Sequence, residues 1–269
     1  MAEFTPMMQQ YLQTKEEYKD CILFYRLGDF YEMFFEDAEL VSKELELTLT
    51  GKNCGMEERA PMCGIPYHAV EGYLNKLVAN GHKVAICEQV EDPKLAKGLV
   101  RREVIRIVTP GTNLDMQALD ETKNNYLMAV VYTGNNYGIA TVDITTGDFF
   151  VTEVTSERAL LDEINKFTPS ELVCNEALFM SGLDMDELKE RYHFAVTALE
   201  NRFFSDDDCR KILKEHFHVM SLEGLGLGDY ENGMIASGAV LQYLYETQKN
   251  DLSHLTKITP YTTGQFMMI

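Results

Sequence analysis

Arg26-Leu27-Gly28-Asp29-Phe30-Tyr31-Glu32-Met33-Phe34-Phe35 is the stretch on which the reading of this chain turns. A continuous apolar run, Cys21 to Leu27, enters it and predicts a strand, and Gly28-Asp29 ends that strand. From Phe30 onward apolar residues recur at helical spacing, so the stretch is expected to be a strand-to-helix corner. Asp29 is then placed to cap the helix, because its carboxylate can accept from the unpaired amides of the first turn, and Glu32 completes a capping box. On this reading Phe30, Phe34, Ala38, Val41 and Leu45 form a buried stripe over a helix 30–46. A second reading keeps Phe30 outward, as an apolar wedge beside a glycine, with Glu32 as a hydrogen-bonding neighbour.

Gly28-Asp29-Phe30-Tyr31-Glu32 resembles the Phe-x-Glu mismatch-reading motif of the MutS family of DNA mismatch-repair proteins. Gly64-Ile65-Pro66-Tyr67-His68-Ala69, Val84-Ala85-Ile86-Cys87-Glu88-Gln89 and Arg106-Ile107-Val108-Thr109-Pro110-Gly111-Thr112 are similar to further family segments and follow in the same order. The resemblance runs through the second half of the chain and stops where the family's core begins, so an amino-terminal fragment is expected. It implies that Phe30 stacks on a mispaired base and that Glu32 hydrogen-bonds it. It also implies a ribonuclease H-like connector, on which a MutL-type partner docks, as the second domain.

A length of 269 residues predicts two domains, each able to bury a core, and 45% hydrophobic residues with 14 Phe and 14 Tyr fit a globular chain. No apolar run approaches the roughly 20 residues that span a membrane, and Met1 to Tyr11 lacks the basic and apolar regions of a secretory signal. A cytoplasmic location is the expectation. The cysteines, Cys21, Cys54, Cys63, Cys87, Cys174 and Cys209, form no Cys-x-x-Cys pair and read as reduced core residues. His216 and His218 lack further ligands at suitable spacing, so no metal site is expected.

The net charge of -19 is unusual for a DNA binder. Residues 1–115 carry 13 Lys and Arg against 19 Asp and Glu, and residues 116–269 carry 11 against 24. Only Pro93 to Val108 is locally basic, through Lys94, Lys97, Arg101, Arg102 and Arg106 against Glu103. Phosphate contacts are therefore expected to be few, with Lys52, Arg59, Lys97 and Arg106 as candidates. Tyr67 and His68 begin a helix behind Pro66, whose first amides are a further candidate for a phosphate or for simple packing.

Thr5-Pro6 opens a helix that ends near Lys19. Strands are expected at 47–50, 83–88 and 102–108, a loop at 51–60, and an amphipathic helix at 67–80 closed by Gly81. The alternation predicts an α/β domain with a mixed sheet. Thr109 to Asn124 breaks the pattern, which sets the expected domains at 1–115 and 126–250 with a linker at 116–125. Three β-rich runs, 126–132, 137–144 and 148–154, are separated by short turns and predict an antiparallel meander. Helices at 157–167, 184–191, 205–218 and 230–249 then alternate with strands at 171–174 and 192–199, the order of a ribonuclease H-like sheet. Residues 251–269 are expected to begin a following core domain, and 255–269 to hold no complete element.

Two other functions compete. A ribonuclease H-like sheet often carries metal-bound carboxylates, yet the run 126–132 has no acid and Asp143 stands without an evident partner set, so a nuclease is disfavoured. A purely protein-interaction module suits the acidic second half. The chain contains no Gly-x-x-x-x-Gly-Lys-Ser/Thr phosphate loop, so no enzyme activity and no cofactor are expected of it. The resemblance assigns ATP and Mg²⁺ to the full-length protein. It likewise implies a monomeric fragment and a homodimeric parent.

Overall fold

The computed structural model describes residues 3–93, 96–114, 123–249 and 251–263. Lys94, the segment 116–122 of the expected linker and residues 264–269 of the expected tail lie outside them. The chain divides into two compact units, Met1–Thr109 and Pro110–Ile269.

The first unit contains α1 (Pro6–Glu17), β1 (Ile22–Leu27), β2 (Phe30–Phe34), α2 (Phe35–Glu44), β3 (Thr50–Lys52), β4 (Ala60–Pro66), α3 (Val70–Ala79), β5 (Val84–Gln89) and β6 (Arg102–Val108). Its sheet runs β3-β4-β2-β1-β5-β6, with β1 and β5 parallel and the other neighbours antiparallel. The expected start of α1 is observed: Thr5 Oγ1 accepts from the Met8 amide at 3.4 Å, and Pro6 takes the first helical position.

The corner at Phe30 is different from the one expected. Gly28, at φ +60°, closes a two-residue turn, and Leu27 pairs with Phe30 in register. Phe30 to Phe34 are therefore a strand, and the helix begins five residues later at Phe35. Asp29 does not cap it, and α2 has no side-chain cap at all. The physical reason is that a glycine followed by aspartate fits a tight hairpin turn, while Tyr31 and Met33 alternate into the core at strand period. Phe34, Ala38, Val41 and Leu45 are buried as expected, but Phe30 is not among them. The residues before Tyr67 also form a strand, β4, where the sequence pattern predicts none, and α3 begins after a 3-10 turn at Tyr67–Ala69.

Two cores flank this sheet. Phe24, Tyr31, Met33, Ile65 and Ile86 pack with Val41 of α2 and Leu77 of α3 on one face. Leu23, Tyr25, Phe34 and Cys87 pack with Met8 and Tyr11 of α1 on the other. A fully buried side chain of this size stabilises the fold by about 2 kcal/mol.

The second unit contains β7 (Leu127–Thr133), β8 (Asn136–Asp143), β9 (Asp148–Val154), α4 (Glu157–Phe167), β10 (Glu171–Cys174), α5 (Met185–Tyr192), β11 (Ala195–Ala198), α6 (Asp206–Phe217), α7 (Glu231–Gln248) and β12 (Thr259–Pro260). β7, β8 and β9 form the antiparallel meander; β10 lies parallel to β7, and β11 parallel to β10. The order β9-β8-β7-β10-β11 is that of a ribonuclease H-like sheet. Ser156, Asp184 and Ser205 accept from first-turn amides of α4, α5 and α6. α7 crosses β8 at Gly138, where a Cβ would sit 2.1 Å from the Asn232 carbonyl carbon. Only glycine admits that approach.

Two boundaries differ from expectation. Residues 110–113, read as the start of a break between domains, are buried in the second unit. The Gly111 amide donates to Glu171 Oε2 at 3.0 Å, and the Asn125 side-chain amide donates to the carbonyls of Pro110 and Asn113 at 3.1 and 3.3 Å. Unpaired backbone groups in a buried segment find polar side chains, and here Glu171 and Asn125 serve. In the tail, Thr259 and Pro260 pair with β9, while Leu252, Leu255 and Ile258 join the core beneath α7. Their apolar spacing is short and irregular, which hides them from a periodicity argument.

Candidate nucleic-acid interface

The β1–β2 hairpin presents Phe30 at its tip. Phe30 is 45% exposed, although its neighbours Tyr31 and Met33 are buried. The register Leu27↔Phe30 and Tyr25↔Glu32 sets Phe30 and Glu32 on the sheet face that α1 covers further along. α1 covers Tyr25 but leaves Phe30 open. Opposite Glu32 on β4 stands Gly64. A Cβ built there would touch Glu32 Cγ and Phe30 Cδ1 at 3.7 Å each, so the missing side chain leaves Phe30 and Glu32 a shared open surface.

Glu32 accepts a short hydrogen bond from Lys52 Nζ on β3, and the Lys52 ammonium lies 5.7 Å from the Phe34 ring centroid. The pair is partly shielded, with side-chain exposures of 16% for Glu32 and 32% for Lys52. The adjacent ammonium offsets much of the negative potential of the carboxylate.

The four cations are not gathered into one patch. Lys52 and exposed Arg59 belong to the β3–β4 edge of the sheet, and Arg59 lies over Gly51. Arg106 lies on β6, the opposite edge, and Lys97 is exposed in the connection before it. Tyr67 does not offer a free amide, because its N–H donates to the Asp29 carbonyl at 2.9 Å.

On the other face of the hairpin Arg26 stands between Tyr67 and Glu88. Its guanidinium carbon is 4.0 Å from the Tyr67 ring centroid, and Nη1 donates to Glu88 at 3.4 Å. The Tyr31 hydroxyl also donates to Glu88. Burial first, and the Glu88 carboxylate second, push the Tyr31 phenol above its ordinary range. From the sequence alone Glu88 stands only as a motif member, Tyr67 as the start of a helix whose amides could meet a phosphate, and Arg26 has no role, since the fold brings the three together from three separate segments.

In the second unit, Asp143 is buried and serves the turn after β8. Oδ1 accepts from the Thr145 amide and hydroxyl at 2.8 and 2.6 Å, and Oδ2 accepts from the Asn125 amide at 3.1 Å. Glu171, also buried, accepts from the Tyr243 hydroxyl at 2.6 Å. Among the described residues no group of three His, Cys, Asp or Glu side chains is placed to hold a metal ion, and no helix is long and apolar enough to cross a membrane.

A mixed-sheet unit with an exposed phenylalanine beside a partly shielded carboxylate, together with a ribonuclease H-like unit, defines a two-domain α/β protein. Comparison with known proteins gives the family. Residues 5–117 match the model described as MutS domain I, and residues 125–256 match MutS domain II. The DNA mismatch repair protein MutS of Lachnoclostridium phytofermentans is 68% identical over the whole chain, and those of Ruminiclostridium cellulolyticum and Acetivibrio thermocellus are 53% identical over the whole chain. The chain belongs to the MutS family. It spans 29 to 31% of the length of these relatives.

Proposed function

We propose that this chain recognises mispaired and unpaired bases in duplex DNA and so serves the first step of mismatch repair. The observation that carries the reading is Phe30: a large apolar side chain, 45% exposed at a hairpin tip, beside a carboxylate and a glycine-opened surface. A mispaired base stacks and pairs poorly, so the duplex is cheaper to kink there. Inserting an apolar wedge from the minor groove costs a few kcal/mol of unstacking, and less at a lesion. Stacking on an aromatic ring returns about 1–3 kcal/mol per base and demands no particular hydrogen-bond pattern. Phe30 fills this role for many mismatches. Glu32 accepts a hydrogen bond from the displaced base, while Lys52 limits the repulsion between that carboxylate and the phosphates. Arg59, Lys97 and Arg106 contact the backbone.

The second unit transmits the recognition event and docks a MutL-type partner, in keeping with its excess of 24 acidic over 11 basic residues from 116 onward. ATP hydrolysis with Mg²⁺ and homodimerisation belong to the longer protein, the chain itself acting in the cytoplasm as a non-catalytic, monomeric recognition part. Low-salt binding of the chain and of Phe30→Ala to matched, G·T-mismatched and single-base-bulged duplexes tests the reading. Preference for the two defective duplexes, abolished in Phe30→Ala, supports it; equal affinity of the folded wild-type chain for all three contradicts it.

A further inference from the structure

The hairpin that carries Phe30 is short, and its turn is held in an unusual way. Gly28 and Asp29 are both exposed, so neither is anchored by burial. Their carbonyls are anchored instead. Arg26 Nε donates to the Gly28 carbonyl at 2.5 Å, and the Tyr67 amide donates to the Asp29 carbonyl at 2.9 Å. Arg26 joins the two anchors, because its guanidinium stacks on the Tyr67 ring at 4.0 Å while Nη1 reaches Glu88 on β5. Glu88 is in turn held by the Tyr31 hydroxyl, one residue after Phe30.

We propose that Arg26 is the positioning residue of the reader: it locks the Gly28-Asp29 turn to β5 and to the 3-10 turn at Tyr67, and thereby fixes the direction in which Phe30 leaves the sheet. Arg26 pairs with Tyr31 on the face opposite Phe30 and Glu32, so it acts on Phe30 only through the turn. The arrangement uses what distinguishes arginine from lysine: one planar group stacks on a ring and donates in two directions at once. A lysine at 26 keeps the charge toward Glu88 but cannot also stack on Tyr67 and reach the Gly28 carbonyl. The benefit of such a lock is preorganisation. A wedge already aimed at the duplex loses little rotational freedom on insertion, whereas a loose hairpin gives up part of the stacking energy.

The inference deepens the mismatch-reading role and rests on it only for its consequence at DNA. Its test is a fluorine spectrum of the chain with 4-fluorophenylalanine at position 30, recorded without DNA for the wild-type background, Arg26→Lys, Arg26→Met and Glu88→Gln, with thermal unfolding of each. The expected result is one narrow resonance in the wild-type background. In both Arg26 variants it broadens or moves toward the denatured-chain position although folding is retained, and Arg26→Lys does not rescue it. Glu88→Gln, which keeps the side-chain volume, shifts the signal in the same direction and covers the case in which the Arg26 variants fold poorly. In duplex binding the mismatch preference of Arg26→Lys falls about tenfold, the loss of one charge-assisted contact. An unmoved resonance in folded Arg26→Lys and Glu88→Gln overturns the proposal. A resonance that moves, in a chain whose wild type shows no duplex preference, sustains the positioning role and removes the wedge reading instead.

Discussion

Glu32 on β2 and Gly64 on β4 stand opposite each other in register, and the absent side chain at 64 is what leaves Glu32 and Phe30 an open common surface. A Cβ alone fits there at ordinary contact distances, 3.6 Å from the Tyr31 carbonyl and 3.7 Å from Glu32 and Phe30. Gly64→Val is therefore expected to fold, with a stability change within about 1 kcal/mol by denaturant titration. Its γ-methyl groups project over Phe30 and Glu32. Preference for a bulged over a matched duplex is expected to collapse, and retention of that preference would show that the open surface is not the contact surface.

Phe30 is exposed and supports no core, so Phe30→Ala is expected to alter unfolding free energy by no more than about 0.5 kcal/mol. Phe34, four residues on and fully buried against Tyr11, is the control: Phe34→Ala is expected to destabilise by about 3–5 kcal/mol. Paired urea titrations separate the two. Equal losses would place Phe30 in the core.

The two phenylalanines also show how much of the fold was legible in the sequence. Phe30, Phe34, Ala38, Val41 and Leu45 satisfy a helical spacing, but Phe30, Tyr31, Glu32 and Met33 satisfy a strand alternation just as well. The strand wins because Gly28 admits a tight turn that returns the chain along β1. β4 stayed hidden behind Pro61 and Pro66, residues that usually interrupt sheets. Here each stands next to a pairing partner, Gly51 and Phe30, at the ends of the strand. In the second unit the caps and turns are local, and the expected β9, α4 and β10 coincide with those observed. Phe30 and Glu32 stand out in the sequence as candidates through a motif; Arg26 does not, because its partners come from pairing and not from spacing.

Lys52→Met removes the cation beside Glu32 and leaves a partly shielded carboxylate without its ion pair. Partial exposure limits the loss of stability to about 1 kcal/mol. Affinity is expected to fall for matched and mismatched duplexes alike, since the uncompensated charge meets phosphates in both. A variant that loses only mismatch affinity would instead make Lys52 part of the base-reading contact.

Asp37 is buried at the start of α2, where it accepts from Lys15 Nζ and from the Leu23 amide at 2.9 Å each. Asp37→Ala leaves the Leu23 amide and the Lys15 ammonium without this acceptor, and about 3 kcal/mol of stability is expected to go with it. A loss under 1 kcal/mol would mean that water replaces the carboxylate.

All six cysteines are buried and free. Burial pushes the Cys21, Cys87, Cys174 and Cys209 thiols up to about 12 and Cys63 to about 11, from an ordinary 9.0. Above pH 9 these thiols ionise in the unfolded chain while remaining neutral in the folded one, so the unfolded chain binds fewer protons. Their contribution is complete below pH 9 and is lost as pH rises toward 12. Unfolding free energy measured under reducing conditions is expected to decline from pH 9 upward, and the native chain at pH 8 to resist thiol reagents until it unfolds. Rapid labelling of several thiols in the folded chain would contradict this burial.

The central claim, that Phe30 enters the duplex at the faulty pair, is tested most directly by photo-crosslinking. With p-benzoylphenylalanine in place of Phe30 and a duplex carrying one unpaired base, the account predicts crosslinks at that base and its immediate neighbours, and none on the matched duplex at equal occupancy. Crosslinks spread evenly along both duplexes would show that the residue only brushes the groove, and would contradict the account.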